Sequence, residues 1–285
     1  MSNTHIIIFS KHRTLQLWSL LKSIRHYSDV DENEITVLYV DSPDTPYDDL
    51  KSEFRCHFVP QKSFLHDLRS IVDSSSADYV CWMVDDLIFK DSFSMRSVES
   101  VLDTNTNIDC FSLRLGNNIE SGMPPQFSEL GENVLTWKTG SGLGKLWNFF
   151  WEASSSVYRK SLVSEYLRKC NPHKVNYPNP FESHYYVRMP SHHRPKHLIK
   201  RLFLNLRFLR AEKTNTMACY EQSKCFTLGI NLVAARELEH VPLASPKELH
   251  QKMKQGFLID YRSIGGAENV WPNTGQKYFR LMRDS

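Results

Sequence analysis

Tyr79-Val80-Cys81-Trp82-Met83-Val84-Asp85-Asp86-Leu87-Ile88-Phe89 is the stretch on which the reading of this chain turns. An unbroken apolar run, rich in β-branched and aromatic side chains, meets two carboxylates, and a second apolar run follows. Such a run predicts a strand buried on both faces. Two acids in these surroundings repel each other and lose hydration, so a cation or strong hydrogen-bond donors must compensate. Asp48-Asp49 supplies the contrast: it lies in a polar, Pro-flanked stretch and reads as an ordinary turn or helix start. For Asp85-Asp86 two compensators come into question. One is a hard divalent ion, Mg²⁺ or Mn²⁺, which takes few carboxylates and leaves positions for phosphate oxygens. The other is a structural ion pair or cap.

Working outward, Ile6-Ile7-Ile8-Phe9 is a short β-branched run ending at Ser10-Lys11-His12-Arg13. Leu17, Trp18, Leu21 and Ile24 then recur at helical spacing. Ile35 to Val40 reads as a buried strand that stops at Asp41-Ser42-Pro43, and Arg55 to Val59 as a weaker one. Phe64, Leu65, Leu68, Ile71 and Val72 mark a second amphipathic helix before the acidic strand, and Ile108 to Leu115 reads as a further strand. Strands alternating with helices predict an α/β fold: a mostly parallel, Rossmann-like sheet flanked by helices, with right-handed crossovers. Ligands of such sheets bind outside the carboxyl ends of the strands. Those ends carry Ser10, Lys11 and Arg13, then Asp41 and Ser42, then Asp85 and Asp86.

Residues 116 to 146 are rich in Gly, Asn, Ser and Pro and read as long loops. The aromatic cluster Trp147, Phe149, Phe150, Trp151 and a helical stretch from Lys160 to Lys169 follow. The expected organisation is a sheet-forming half, 1–115, that presents the charged strand ends, continuous with a half of helices and loops, 116–285. Net charge is +3, which points to no nucleic-acid partner. No apolar run approaches the roughly 20 residues that span a bilayer. The first apolar stretch lacks the length and basic lead-in of a signal peptide. The six cysteines are scattered without a C-x-x-C pair, so neither a disulfide framework nor structural zinc is expected and a reducing cytoplasm fits. Gly140-Ser141-Gly142-Leu143-Gly144 misses the phosphate-loop spacing, because Leu146 follows Lys145 where Ser or Thr is required.

The segment from Tyr79 to Phe89 resembles the D-x-D strand end of GT-A glycosyltransferases, with Val84 in the first acidic position. Ile6 to Arg13 and the helix after it resemble the first β-α unit of that family. Trp151 to Lys160 is similar to its strand-to-helix segment behind the acceptor loops. The resemblance implies a nucleotide-sugar donor, most commonly a UDP-sugar, bound by 1–115 with Mn²⁺ or Mg²⁺ as cofactor, and an acceptor bound by 116–285. It makes Asp86 the primary metal ligand and Asp85 its support. It sets Ser10, Lys11 and Arg13 against the base and diphosphate, Asp41 against base or ribose, and Asp67 and Arg69 against the nucleoside. The acceptor is then a glycan or lipid-linked glycan, as in building a surface polysaccharide.

An inverting transferase needs a carboxylate that takes the proton of the attacking hydroxyl. Glu182, between Asn179-Pro180 and His184-Tyr185-Tyr186, is the first choice. Glu152, lodged between Trp151 and Ala153, is the second. A retaining enzyme would need neither as base. The aromatic cluster reads as core or as a platform for an acceptor sugar. Two other functional classes share the pattern. A nucleotidyltransferase would carry a Gly-rich signature after the first strand, which Ser10-Lys11-His12-Arg13 lacks. A non-catalytic glycan-binding protein of the same fold would bind no nucleotide with metal.

Between Arg188 and Lys213 stand eight Lys or Arg, three His and one acid, with Leu198, Ile199, Leu202, Phe203, Leu206 and Leu209 at helical spacing. The pattern fits peripheral contact with an anionic membrane face, an ordinary packed helix with a wet basic side, or a grip on an anionic acceptor. Replacing Lys200, Arg201, Arg207 and Arg210 with Gln removes four charges, each worth about 1 kcal/mol near an anionic surface. The substituted protein should float poorly with anionic vesicles; unchanged flotation would exclude the membrane contact.

Overall fold

The computed structural model describes residues 3–131, 133–140, 143–144, 146–188, 215–230 and 244–284, with the side chains of 184–188 left out. Its frame is a mixed α/β sheet of nine strands. β1 (Thr4–Lys11), β2 (Ile35–Val40), β3 (His57–Pro60) and β4 (Tyr79–Val84) run parallel in the order β3-β2-β1-β4. The next strand in space is antiparallel and comes from far along the chain. It is Ser156–Arg159, which lies between β4 and Cys110–Ser112. Thr216–Tyr220 runs parallel to Cys110–Ser112, and the hairpin of Ser128–Glu129 and Val134–Lys138 closes the edge. Strands from both expected halves thus share one sheet.

Helices cover both faces because the strands are apolar on both. In β1, Ile6 and Ile8 join one core while Ile7 and Phe9 join the other. In β4, Cys81 and Met83 part from Val80 and Trp82 in the same way, as the period of a pleat requires. The first core takes α1 (Thr14–Tyr27), through Leu17, Leu21 and Ile24, with Val98 and Leu102 of α4 (Met95–Thr104). The second takes Leu68 and Val72 of α3 (Phe64–Ser74), Val163 and Leu167 of α5 (Lys160–Lys169), and Phe181 of α6 (Pro178–Arg188). A short helix, α2 (Asp48–Glu53), carries the acidic pair taken as the surface contrast.

Two expectations are corrected, and one open alternative is decided in favour of core. Residues 116–146 are not all loop, since the hairpin turning at Asn133 (φ 61°) adds two strands there. The strand expected over Ile108 to Leu115 is only Cys110–Ser112, paired with Ser156–Tyr158. Trp147, Phe150 and Trp151 are core and not a platform: each is at most 1% exposed. Trp151 lies 6.2 Å from Trp82 and 5.5 Å from Phe181, ring centre to ring centre. All six cysteines are buried and free. Among the described residues no helix is long and apolar enough to cross a membrane. Of the basic segment all but Arg188 lies outside the described residues.

Trp82 is fully buried with rings of Phe9, Trp151 and Phe181 within 6.2 Å. Trp82→Ala should therefore lower unfolding stability by about 3–5 kcal/mol in urea titration. A loss below about 1 kcal/mol would show that the second core closes over the cavity.

Candidate active site

The carboxyl ends of the parallel strands open into a cleft of about 640 Å³. β1 contributes Phe9, Ser10, Lys11 and Arg13; β2 contributes Leu38 and Val40; Gln61 follows β3; Val84, Asp85 and Asp86 end β4. Ala153 and Ser154 enter ahead of the antiparallel strand, and Glu182 enters from α6.

Two strained corners aim these segments. His12 has φ 57° and Ser155 φ 63°, left-handed values uncommon outside glycine, which His adopts more readily than Ser does. Turning at His12 brings the Lys11 amide onto Asp85 Oδ2 at 3.1 Å and the Arg13 side chain back over both carboxylates. Turning at Ser155, whose amide donates to the Trp82 carbonyl at 2.6 Å, leaves the Ala153 amide to face Glu182.

Arg13 Nη1 donates to Asp85 Oδ1 at 3.0 Å and to Asp86 Oδ2 at 2.7 Å. The cation that compensates the acidic pair is thus a guanidinium of the chain itself. Asp85 also accepts from Ser10 Oγ at 2.9 Å, and Ser10 Oγ pairs with the Tyr47 hydroxyl at 2.8 Å. Burial pushes the Asp85 carboxyl up to about 6; Arg13 works against this and Asp86 adds to it. Burial disfavours the Arg13 charge too, but the two carboxylates outweigh it and hold the guanidinium above its usual range. The side chain of Asp86 keeps 13% exposure against 4% for Asp85. Asp86 is therefore the carboxylate of the pair more open to the cleft.

Glu152 does not line the cleft. It is buried in a two-pronged ion pair with Arg114, Oε1 to Nε at 3.1 Å and Oε2 to Nη2 at 2.9 Å. Burial raises its carboxyl and Arg114 opposes that. Arg114 itself reaches the cleft and donates from Nη1 to Asn273 Oδ1 at 3.0 Å. Glu182 Oε1 accepts the Ala153 amide at 2.6 Å. Burial pushes its carboxyl up to about 7, the Ala153 amide pulls against that, and the Glu152 charge adds to the rise.

Asp67 and Arg69 are absent from the cleft and hold the frame instead. Asp67 Oδ2 accepts the Lys62 and Ser63 amides at 2.6 and 2.7 Å, capping the start of α3. Arg69 donates to the Leu167 and Cys170 carbonyls, closing the end of α5. Asp41 is exposed beyond β2 and does not line the cleft. Gln61, Arg114, Tyr177 and Asn273 do, and were missed. Each is an isolated polar or aromatic residue with no local pattern to single it out.

The architecture is a mostly parallel, Rossmann-like α/β sheet flanked by helices. No family model matches the chain. Over 208 residues it is 24% identical to the bifunctional glycosyltransferase pgtA of Dictyostelium discoideum, a match covering 62% of this chain and 27% of that protein. The match thus spans about a quarter of that relative's length. S. aureus TarS in complex with UDP superposes with a TM-score of 0.44 at 11% identity, over 78% of this chain and 60% of that one. CMP:2-keto-3-deoxy-manno-octonic acid synthetase complexed with CTP gives 0.39 at 10% identity, over 88% and 98%.

Removing one partner of a buried ion pair leaves the other charge uncompensated, at a cost of about 3–5 kcal/mol. Asp85→Ala should approach that loss in chemical unfolding. Asp86→Ala should cost clearly less, since its side chain retains water contact. Equal losses would mean that Arg13 depends on the two carboxylates alike.

Proposed function

We propose that the chain is a glycosyltransferase that binds a nucleotide-sugar, a UDP-sugar, and passes the sugar to a hydroxyl of a glycan or lipid-linked glycan. The observation that carries this reading is the pairing, in one cleft, of a strand-end carboxylate with water contact, Asp86, and a carboxyl raised to about 7, Glu182. In sheet order β4, which runs into Asp86, lies between β1, which ends at Lys11, and the strand Ser156–Arg159, which follows the Ala153–Ser155 corner that holds Glu182. A donor diphosphate suits the β1 side, where the Lys11 cation lines the cleft.

The donor set suits Mg²⁺ or Mn²⁺ in the manner that relies on substrate phosphates. Such ions take one or two carboxylates and draw remaining oxygens from phosphate and water. Asp86 would hold the ion. Asp85 has both oxygens taken by Arg13, Ser10 and the Lys11 amide, so its part is to fix those groups. When bound, the ion supplies charge neutralisation for the leaving diphosphate. On the chain's side, Glu182 takes the proton from the acceptor hydroxyl. The Ala153 amide holds one carboxylate oxygen at 2.6 Å and orients the group for that task.

A nucleotidyltransferase is the second reading, since it too would need a metal-binding carboxylate pair at the end of a parallel strand. It would show pyrophosphate release from a nucleoside triphosphate, which transfer from a nucleotide-sugar never produces.

Glu182 must be ionised to accept a proton, so with a carboxyl at about 7 turnover should climb as pH rises through that region. Glu182→Gln should lower turnover by about 10²- to 10⁴-fold, abolish that limb of the pH profile and leave UDP binding intact. Near-normal turnover, or a product that retains the donor's anomeric configuration, would remove the base assignment. Asp86→Ala should abolish the metal-dependent part of UDP stabilisation in a thermal-shift titration with and without Mn²⁺, and its persistence would remove the metal assignment.

A further inference from the structure

Arg114 is buried, yet it lines the cleft, and its guanidinium is gripped on two edges. Nε and Nη2 donate to the two oxygens of Glu152, at 3.1 and 2.9 Å. Nη1 donates to Asn273 Oδ1 at 3.0 Å, with Thr227 Oγ1 at 3.5 Å. Glu152 is held at its backbone as well. Its amide donates to the Tyr158 hydroxyl at 2.9 Å, and that hydroxyl donates to the Phe150 carbonyl at 2.7 Å. The next residue, Ala153, gives its amide to Glu182. A carboxylate outside the cleft, Glu152, is thus fixed one residue before the contact that orients a carboxylate inside it, Glu182.

Both carboxylates lie within reach of the Arg114 charge. Burial is the chief influence on Glu182. After it and the Ala153 amide come Glu152, which opposes ionisation, and Arg114, which favours it. Burial opposes the Arg114 charge, while Glu152 and, more weakly, Glu182 favour it. The same cleft holds Lys11, Arg13, Asp85 and Asp86 at the strand ends and Tyr177 before α6. Arg13 is bound to the two aspartates. Of the helices packed on α6, α5 presents Tyr166, whose hydroxyl donates to the Phe181 carbonyl, and α3 turns Asp67 and Arg69 to helix ends. A guanidinium paired with a carboxylate holds it ionised and lowers its affinity for a proton. Arg114 on Glu182 would make a weaker base. Arg114 on Glu152 leaves Glu182 with a neutral donor, the Ala153 amide.

Resting on the reading of Glu182 as the base, we propose that Glu152 is a positioning residue for it. By taking up Arg114, Glu152 keeps that cation off Glu182, which stays able to receive the proton of the acceptor hydroxyl.

The test is a carboxyl ¹³C NMR titration, with the Glu182 signal identified by its absence in Glu182→Gln, run beside the pH profile of turnover. The wild-type Glu182 midpoint should lie at about 7. Glu152→Gln releases Arg114 to Glu182, so the midpoint should fall by about 1 to 3 pH units, and the rising limb of turnover should move with it. Glu152→Gln combined with Arg114→Gln removes both charges and should restore the midpoint close to its wild-type position. Should the single variant not fold, Glu152→Asp keeps the charge but shortens its reach, and should move the midpoint the same way by less. A midpoint that stays or rises in the folded single variant, or that remains low in the double one, would overturn the role, because Glu152 would then act through the fold alone. A midpoint that moves as expected while the turnover limb does not would uphold the hold on Arg114 and overturn Glu182 as the base instead.

Discussion

Arg13 bridges Asp85 and Asp86 through a single nitrogen, and the shape of the cleft follows from that contact. The pair ends a strand whose six residues are all apolar, so neither carboxylate could stay charged there without a counter-ion. Supplying one from the end of β1 ties the two central parallel strands together where ligands of α/β sheets enter. The arrangement also divides the pair by role. Asp85, with both oxygens engaged, positions Ser10, the Lys11 amide and Arg13, while Asp86 keeps contact with water.

On the other side of β4 the same logic appears with the partners reversed. Arg114 is the buried cation, and Glu152 is its counter-ion. The chain leaves Glu152 through Ala153, whose amide holds Glu182, and turns at Ser155 into the antiparallel strand. Backbone strain at His12 and Ser155 flanks the cleft on its two sides. Strain of that kind persists only where the surroundings impose it, and here the surroundings are buried ion pairs and strand hydrogen bonds. The two buried pairs thereby convert stability into placement, holding Lys11, Asp86 and, through the Ala153 amide, Glu182 in one cleft.

The sheet was legible in the sequence because its determinants are local. Runs such as Ile6–Phe9 and Tyr79–Val84 are apolar at every position, and the helices between them repeat at helical spacing. Asp85 and Asp86 stood out for the same reason, as charges inside an apolar run. Glu182 was reached by its neighbours in sequence, and the cleft does contain it. Asp67 and Arg69 misled because a polar residue on a helix can serve a ligand or a helix end. Which it serves depends on a loop or carbonyl that another segment supplies, such as the Leu167 carbonyl for Arg69.

By itself the sequence determined the alternation of strands and helices, the two-faced burial of β1 and β4, and the position of a charged pair at a strand end. Hydropathy and period suffice for those, since each depends on neighbours within a few residues. The tertiary structure alone decided which cation meets the pair, that Glu152 belongs to Arg114 rather than to the cleft, and that Trp147 and Trp151 are core while Tyr177 is exposed. Each of these is a contact or an exposure set by residues far apart in the chain. Asp85 and Arg13 are 72 positions apart and Arg114 and Asn273 are 159, distances over which no local pattern carries information.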